Sequence, residues 1–238
     1  MTKRFRMIAG PNGSGKSTLM RRLATDYAVN FYDVLNADDI FAEVRRTFAF
    51  QPRISVEPER LRGYAAASSY GEEVKRAFLN GAITVEDDSF RFRGASAVNS
   101  YTVALVTNFL QNEYIRQGHC FSQETVFSHP SKLAALAEAK RSGFRTYLYF
   151  VATSDSALNV ARVENRASQG GHNVPGEKIT SRYARSLANV RPALEHLSRA
   201  FFFDNSGEDM RYVAQWNPEA GLVSASPDQP EWFRRLEI

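Results

Sequence analysis

Gly10-Pro11-Asn12-Gly13-Ser14-Gly15-Lys16-Ser17, followed by Thr18, fits the phosphate-binding loop pattern G-x-x-x-x-G-K-[ST] at every fixed position. Glycines let successive backbone N–H groups turn inward around a triphosphate, where side chains bearing a Cβ would obstruct them. Lys16 is then placed to reach the β- and γ-phosphates, and the Ser17 hydroxyl to ligate Mg²⁺. The flanks agree. Phe5 to Ala9 reads as a short apolar strand entering the loop, and Leu19, Met20, Leu23, Ala24 and Tyr27 make a helical stripe leaving it. A helix N-terminus, with its positive dipole end, then faces the anion. The stretch implies an α/β P-loop NTPase in which Gly10 to Thr18 hold a nucleoside triphosphate.

Composition narrows the class further. The 238 residues suit one α/β domain with elaborations, and a hydrophobic share of 43% supplies a substantial core. A net charge of +4 is only mildly basic, as befits a protein that handles phosphates. No Lys/Arg run of the kind seen in nucleic-acid-binding tails is present, so nucleic acid is not the expected partner. Cys120 is the only cysteine, which excludes an intrachain disulfide or a Cys-based metal site and favours a reducing, cytoplasmic setting. No apolar stretch approaches membrane-spanning length. The run after Met1 to Arg6 stops at Gly10, too short for a signal peptide.

Outward from the loop, Tyr32 to Asn36 reads as a second strand ending in Asn36-Ala37-Asp38-Asp39, with a helix expected from Ile40 to Phe48. Pro52 and Pro58 are expected to break regularity. Residues 50 to 118 read as an insertion on the substrate side, carrying a helix at Gly71 to Leu79, a β-hairpin around Asp87-Asp88 and a long helix from Ala97 to Gln117 with Gly118 as its C-cap. Regular alternation resumes with a strand at Cys120 to Thr125, a helix capped by Ser131 and stopped by Gly143, and a strongly apolar strand from Arg145 to Ala152. Asp155 can cap the next helix. A loop, Gly170-Gly171-His172-Asn173-Val174-Pro175-Gly176, lies within an expected lid at 168–182. The following helix is kinked or divided at Pro192, Phe201 to Phe203 is the last core strand, and residues 212 to 225 form a small peripheral hairpin.

Phosphoryl transfer asks for a carboxylate near the γ-phosphate to accept a proton, and for positive charge around the moving group. Asp38, at a strand end, is the candidate base, although Asp before Ile-Phe-Ala is also an ordinary helix cap. Glu124, closing another strand, could bind a substrate hydroxyl, hold Mg²⁺ through water or pair with an arginine. Arg162 and Arg166, one helical turn apart, together with Arg182, flank the Gly-Gly-His loop and suit a lid over the triphosphate. His172 has no partner at metal-site spacing and reads as a loop or substrate contact. Phe201-Phe202-Phe203-Asp204 superficially matches a Walker B strand, which would suit a motor or switch ATPase instead.

These segments, from Ala9-Gly10 through Asn36-Ala37-Asp38-Asp39-Ile40, Glu124-Thr125-Val126-Phe127-Ser128, Gly170-Gly171-His172-Asn173-Val174-Pro175, Arg182-Tyr183-Ala184-Arg185-Ser186-Leu187 and Asp204-Asn205-Ser206, resemble the zeta-toxin-like P-loop kinases. They look most like the branch described as predicted ABC-type ATPases, although the signature loop of such ATPases is missing. The resemblance implies a mononucleotide-kinase-like parallel sheet flanked by helices, in a single kinase domain over 1–238. It implies ATP and Mg²⁺ as cofactors and transfer of a phosphoryl group to a hydroxyl of a nucleotide sugar such as UDP-N-acetylglucosamine. By the same resemblance Asp38 is the base, Glu124 the substrate-binding glutamate, Arg162 and either Arg166 or Arg182 the γ-phosphate arginines, and an antitoxin chain a partner; Asn36, Thr125, His172 and Arg182 are the further substrate-side candidates, with Lys16 and Arg166 beside Arg162 at the phosphates. A polynucleotide or nucleoside kinase and an ATP-driven switch without an acceptor are the alternatives.

Overall fold

Phe5, Met7, Ile8 and Ala9 have no solvent exposure, which places strand β1 (Arg4–Ala9) at the centre of a parallel sheet covered on both faces. The structure is a computed structural model that describes residues 2–169, 174–225 and 227–238. Its chain divides into two compact units, Met1–Tyr32 with Cys120–Ile238, and Asp33–His119.

From β1 the chain passes through the phosphate loop into α1 (Lys16–Asp26) and then enters the second unit. That unit contains β2 (Asp33–Asn36), α2 (Ala37–Thr47), β3 (Ala49–Phe50), α3 (Pro58–Ala67), α4 (Glu72–Leu79), β4 (Ile83–Glu86), β5 (Ser89–Phe92) and α5 (Ser100–Gln117). The first unit resumes with β6 (Phe121–Thr125), α6 (Ser131–Arg141), β7 (Arg145–Ala152), α7 (Ser156–Ser168) and α8 (Gly176–Ala188). It continues through α9 (Val190–Leu194), β8 (Arg199–Asp204), β9 (Arg211–Asn217), β10 (Gly221–Ser224) and α10 (Glu231–Arg234).

In the first unit the strands run in the order β10-β9-β8-β7-β1-β6. β6, β1, β7 and β8 are mutually parallel, while β9 and β10 are antiparallel additions. The register aligns Ala9 with Thr125 on one side and Phe150 on the other, and Ala152 with Asp204. The carboxyl ends of four strands therefore share one edge. The phosphate loop, the Glu124–Thr125 strand end, the turn at Thr153 and the turn at Asn205 all emerge there, as ligand sites of open α/β sheets do. The expected peripheral hairpin, β9 and β10, lies at the sheet's edge and adds two strands to it, with Ala200 opposite Trp216. Trp232 and Phe233 of the unforeseen α10 are buried behind it.

The second unit holds a three-stranded antiparallel sheet, β3-β5-β4. Asp87 and Asp88 turn its hairpin at φ of 49° and 58°, the left-handed pair that a type I′ turn needs. Pro58 begins α3 rather than breaking the chain, because at the first helical position its missing N–H costs nothing. α5 starts at Ser100, later than expected, because Asn99 forms a capping box. Its side chain accepts from Tyr101 and Thr102 N–H at 3.0 Å each, and the Thr102 hydroxyl accepts from Asn99 N–H. Glu113 on α5 is buried between Arg60 and Arg116. Pro192 does divide the late helix, into α8 and α9. Ser131 is the first residue of α6, not its cap: the position before it is Pro130, and His129 Nδ1 accepts from Ser131 N–H.

Candidate functional site

The phosphate loop is closed against its surroundings at each glycine. Gly10, Gly13 and Gly15 have φ of 151°, 76° and 96°, conformations that L side chains rarely adopt. A Cβ there would also lie 2.0 Å from Val151 O, 2.7 Å from Asn159 O and 2.4 Å from Asn205 Nδ2, respectively. Backbone strain demands glycine at all three positions, and at Gly10 and Gly13, where the atom in the way is a backbone oxygen, lack of space demands it too.

The loop carbonyls are taken by protein donors. Asn159 Nδ2 donates to Asn12 O at 2.6 Å, Asn205 Nδ2 to Ser14 O at 2.9 Å, and Lys16 Nζ to Pro11 O at 3.1 Å. Pro11 and Ser14 are buried, while Ser17 and Thr18, on the first turn of α1, are exposed. Asn12 Oδ1 and Ser14 Oγ are buried without a protein partner. Of the two, the Ser14 hydroxyl can donate, and a spare donor in a glycine cradle at a helix N-terminus fits a polyphosphate.

The Ser17 hydroxyl donates to Glu124, 3.0 Å from Oε1 and 3.1 Å from Oε2. Adjacent oxygens of an Mg²⁺ octahedron with bonds of about 2.1 Å lie roughly 3 Å apart, so the pair is spaced as two neighbouring ligands would be. A hydroxyl and a carboxylate are also the oxygen donors this ion prefers. Among the described residues there is no cluster of three or more His, Cys, Asp or Glu side chains that could hold a metal. The donor set thus fits an ion that takes its remaining ligands from phosphate and water. Ser17 is thus one partner of Glu124 in the folded chain.

Thr125 Oγ1 accepts from Phe127 N–H at 3.3 Å, and Phe127 is held in the left-handed region at φ 65°. Helix α8 fixes this turn. Ser186 Oγ donates to Val126 O, and Asn189 Nδ2 to Phe127 O at 2.8 Å. Tyr183 on the same helix donates to Thr153 O at 2.7 Å, which ties α8 to the end of β7. Arg162 on α7 donates through Nη1 to Asn205 O at 2.8 Å. Arg166 lies exposed one turn further on, and Arg182 is half-buried on α8. His172 lies outside the described residues.

Asp204 is spoken for. Its Oδ1 accepts from Ser206 Oγ at 2.6 Å and Trp232 Nε1 at 2.9 Å, and its Oδ2 from Arg211 Nε at 3.1 Å. With the residue only 4% exposed, the carboxylate anchors β9 and α10 to the end of β8. That anchoring accounts for its burial without a metal-site role.

Asn36, Asp38 and Asp39 belong to the second unit. The helix cap considered for Asp38 falls to Asn36, whose side chain accepts from Asp38 N–H at 3.0 Å. Asp38 is thereby left exposed in the first turn of α2 with no capping duty. At Asp39, desolvation first and the neighbouring Asp38 charge second push the carboxyl above its ordinary value, opposed by a hydrogen bond with Asn36. Asn159 was not legible as a site residue, and Asn205 only as part of a resembling segment. Their bonds to the loop span 147 and 191 residues, and no local spacing reports that.

The sequence model described as AAA domain, AAA_33, matches residues 6–192. No curated protein matches the chain. Among solved structures, AvrRxo1-ORF1:-ORF2 with ATP aligns at a TM-score of 0.58 and 12% identity, over 99% of this chain and 63% of that one. The PezAT chromosomal toxin–antitoxin system of Streptococcus pneumoniae aligns at a TM-score of 0.53 and 13% identity, over 100% and 85%. The chain therefore spans 63% of the length of the AvrRxo1 chain. Likeness at such identities concerns the fold.

Proposed function

The chain belongs to the AAA domain family and has the zeta-toxin-like P-loop kinase fold; on that premise we propose that it is an ATP- and Mg²⁺-dependent kinase of a small hydroxyl acceptor. The acceptor class we propose is a nucleotide sugar such as UDP-N-acetylglucosamine. One observation carries the nucleotide half of this reading. It is the cradle of Gly10, Gly13 and Gly15, each closed to within 2.7 Å of a would-be Cβ, with Lys16 and the Ser17–Glu124 pair at its mouth.

Bound ATP with its metal would supply the transferable phosphoryl group. The chain does the rest. Loop N–H groups and Lys16 would hold the β- and γ-phosphates, and Ser17 with Glu124 would hold Mg²⁺. Asp38 accepts the proton of the acceptor hydroxyl, a role that suits a carboxylate free of capping. Arg166, Arg182 and the Arg162 nitrogens not used on Asn205 neutralise charge that develops during transfer. Asn36, Thr125 and His172 stay on the substrate side of the proposal. The similarity to a toxin–antitoxin system supports a protein partner.

The test is transfer of radiolabelled γ-phosphate to UDP-sugars, other nucleotide sugars and short oligonucleotides. Label should appear on a nucleotide sugar, disappear in Lys16→Ala together with ATP binding, and disappear in Asp38→Ala with ATP binding kept. Label on an oligonucleotide would move the acceptor class. Free phosphate alone, insensitive to Asp38→Ala, would refute the kinase reading.

A further inference from the structure

We propose that Asn159 and Asn205 are positioning residues that aim the phosphate loop, each seizing one loop carbonyl so that the next peptide N–H faces the nucleotide. The proposal rests on the reading that this loop holds nucleotide phosphates and adds how the loop is kept in shape to do so.

A trans peptide points its C=O and N–H in opposite directions, and no described peptide bond is cis. Asn159 Nδ2 holds Asn12 O at 2.6 Å, so the N–H of the same peptide, that of Gly13, is directed away from Asn159. Asn205 Nδ2 holds Ser14 O at 2.9 Å, which directs the Gly15 N–H away from Asn205 in the same manner. The two carbonyls lie two residues apart, so alternate loop amides are set by two separate side chains.

Both asparagines are themselves held. Asn159 is fully buried, and Thr153 Oγ1 donates to its Oδ1. The Asn12 carbonyl, which can only accept, fixes which end of the amide is the donor. Arg162 Nη1 donates to the Asn205 carbonyl at 2.8 Å. Asn159 and Arg162 stand three residues apart on α7, on one helix face. A single helix thus reaches the loop twice, directly through Asn159 and indirectly through Arg162 and Asn205. Gly13 and Gly15 complete the fit: the atoms that would meet a Cβ there belong to Asn159 and Asn205 themselves. The glycines are needed where the asparagines press closest.

The test uses the full chain, calorimetry with ATP and ADP, and amide spectra of ¹⁵N-labelled protein. In the wild type, ATP should shift the Gly13 and Gly15 amide protons strongly downfield. Asn205→Ala should bind ATP and ADP about tenfold more weakly, the worth of about one mispositioned hydrogen bond. It should lose the Gly15 shift, keep the Gly13 shift, and melt without nucleotide within a few degrees of wild type. Asn159→Ala should show the converse pattern at Gly13. Unchanged affinity with both shifts retained would overturn the clamp and leave the nucleotide site standing. Loss of both shifts in each variant, in step with lost stability, would also overturn it, since that is loosened packing rather than aim. Failure of the wild type to bind ATP would instead sink the nucleotide reading beneath it.

Discussion

Gly13 and Gly143 offer a matched pair that separates strain from space. Their φ angles are 76° and 79°, so alanine at either pays the same left-handed penalty of about 1–2 kcal/mol, partly offset by a stiffer unfolded chain. Their surroundings differ. At Gly143 a Cβ meets nothing within 4 Å, whereas at Gly13 it would sit 2.7 Å from Asn159 O and 3.3 Å from the carbon atoms beside it. A backbone carbonyl on a packed helix cannot rotate aside, so either the loop or α7 must move. Overpacking of that kind costs about 1–3 kcal/mol. Gly143→Ala should therefore lose about 1 kcal/mol and Gly13→Ala about 3 kcal/mol. For a chain of this size each kcal/mol moves the melting temperature by about 2–4 °C. Thermal unfolding without nucleotide should place Gly13→Ala about 4–8 °C below Gly143→Ala. Equal melting temperatures would refute the claim that the loop is pressed against α7, and with it the spatial half of the glycine argument.

Two further outcomes follow from buried carboxylates. Burial pushes Glu113 up, but hydrogen bonds from Arg60, Arg116 and Gln117 outweigh it and hold the group below the ordinary glutamate value. A folded value below the unfolded one adds stability above the unfolded pKa of about 4.3, and that stability is lost as pH falls through the lowered folded value. Glu113→Gln should cost about 2–3 kcal/mol at neutral pH, less than a fully buried pair because both arginines are more than two-fifths exposed. The gap to wild type in urea titrations should narrow below about pH 4, and a gap that stays constant with pH would count against the ion pairs as its source. Asp204→Asn disturbs a carboxylate that accepts from Ser206, Arg211 and Trp232, so it should destabilise the chain by about 1–3 kcal/mol and spare ATP affinity. Intact stability with lost Mg²⁺-ATP binding would instead restore the Walker B reading.

The phosphate loop was legible because its chemistry is local. Glycine freedom, a lysine and a hydroxyl at set spacing, and a strand and helix on either side all lie within residues 5 to 27. For similar reasons the apolar strand at Arg145–Ala152, the Asp155 cap and the Asp87-Asp88 hairpin stand where patterning put them. Pro58 and the Glu231–Arg234 helix were missed because the same residues also suit loops, and only packing decides. Burial of Trp232 and Phe233 makes the last helix. Asp204 shows the limit most plainly. Its strand-end position suggested a metal site, yet a tryptophan 28 residues on and an arginine 7 residues on claim its oxygens. Sequence by itself determined where the glycines, the lysine and the hydroxyl of a phosphate-loop pattern stand, since that depends on what each residue type can do within one turn of chain. Which side chains hold the loop open, and which carboxylates are already spent, depended on contacts between segments far apart in the chain. Those partners are chosen by the sheet register and by α7, and only the folded structure brings them together.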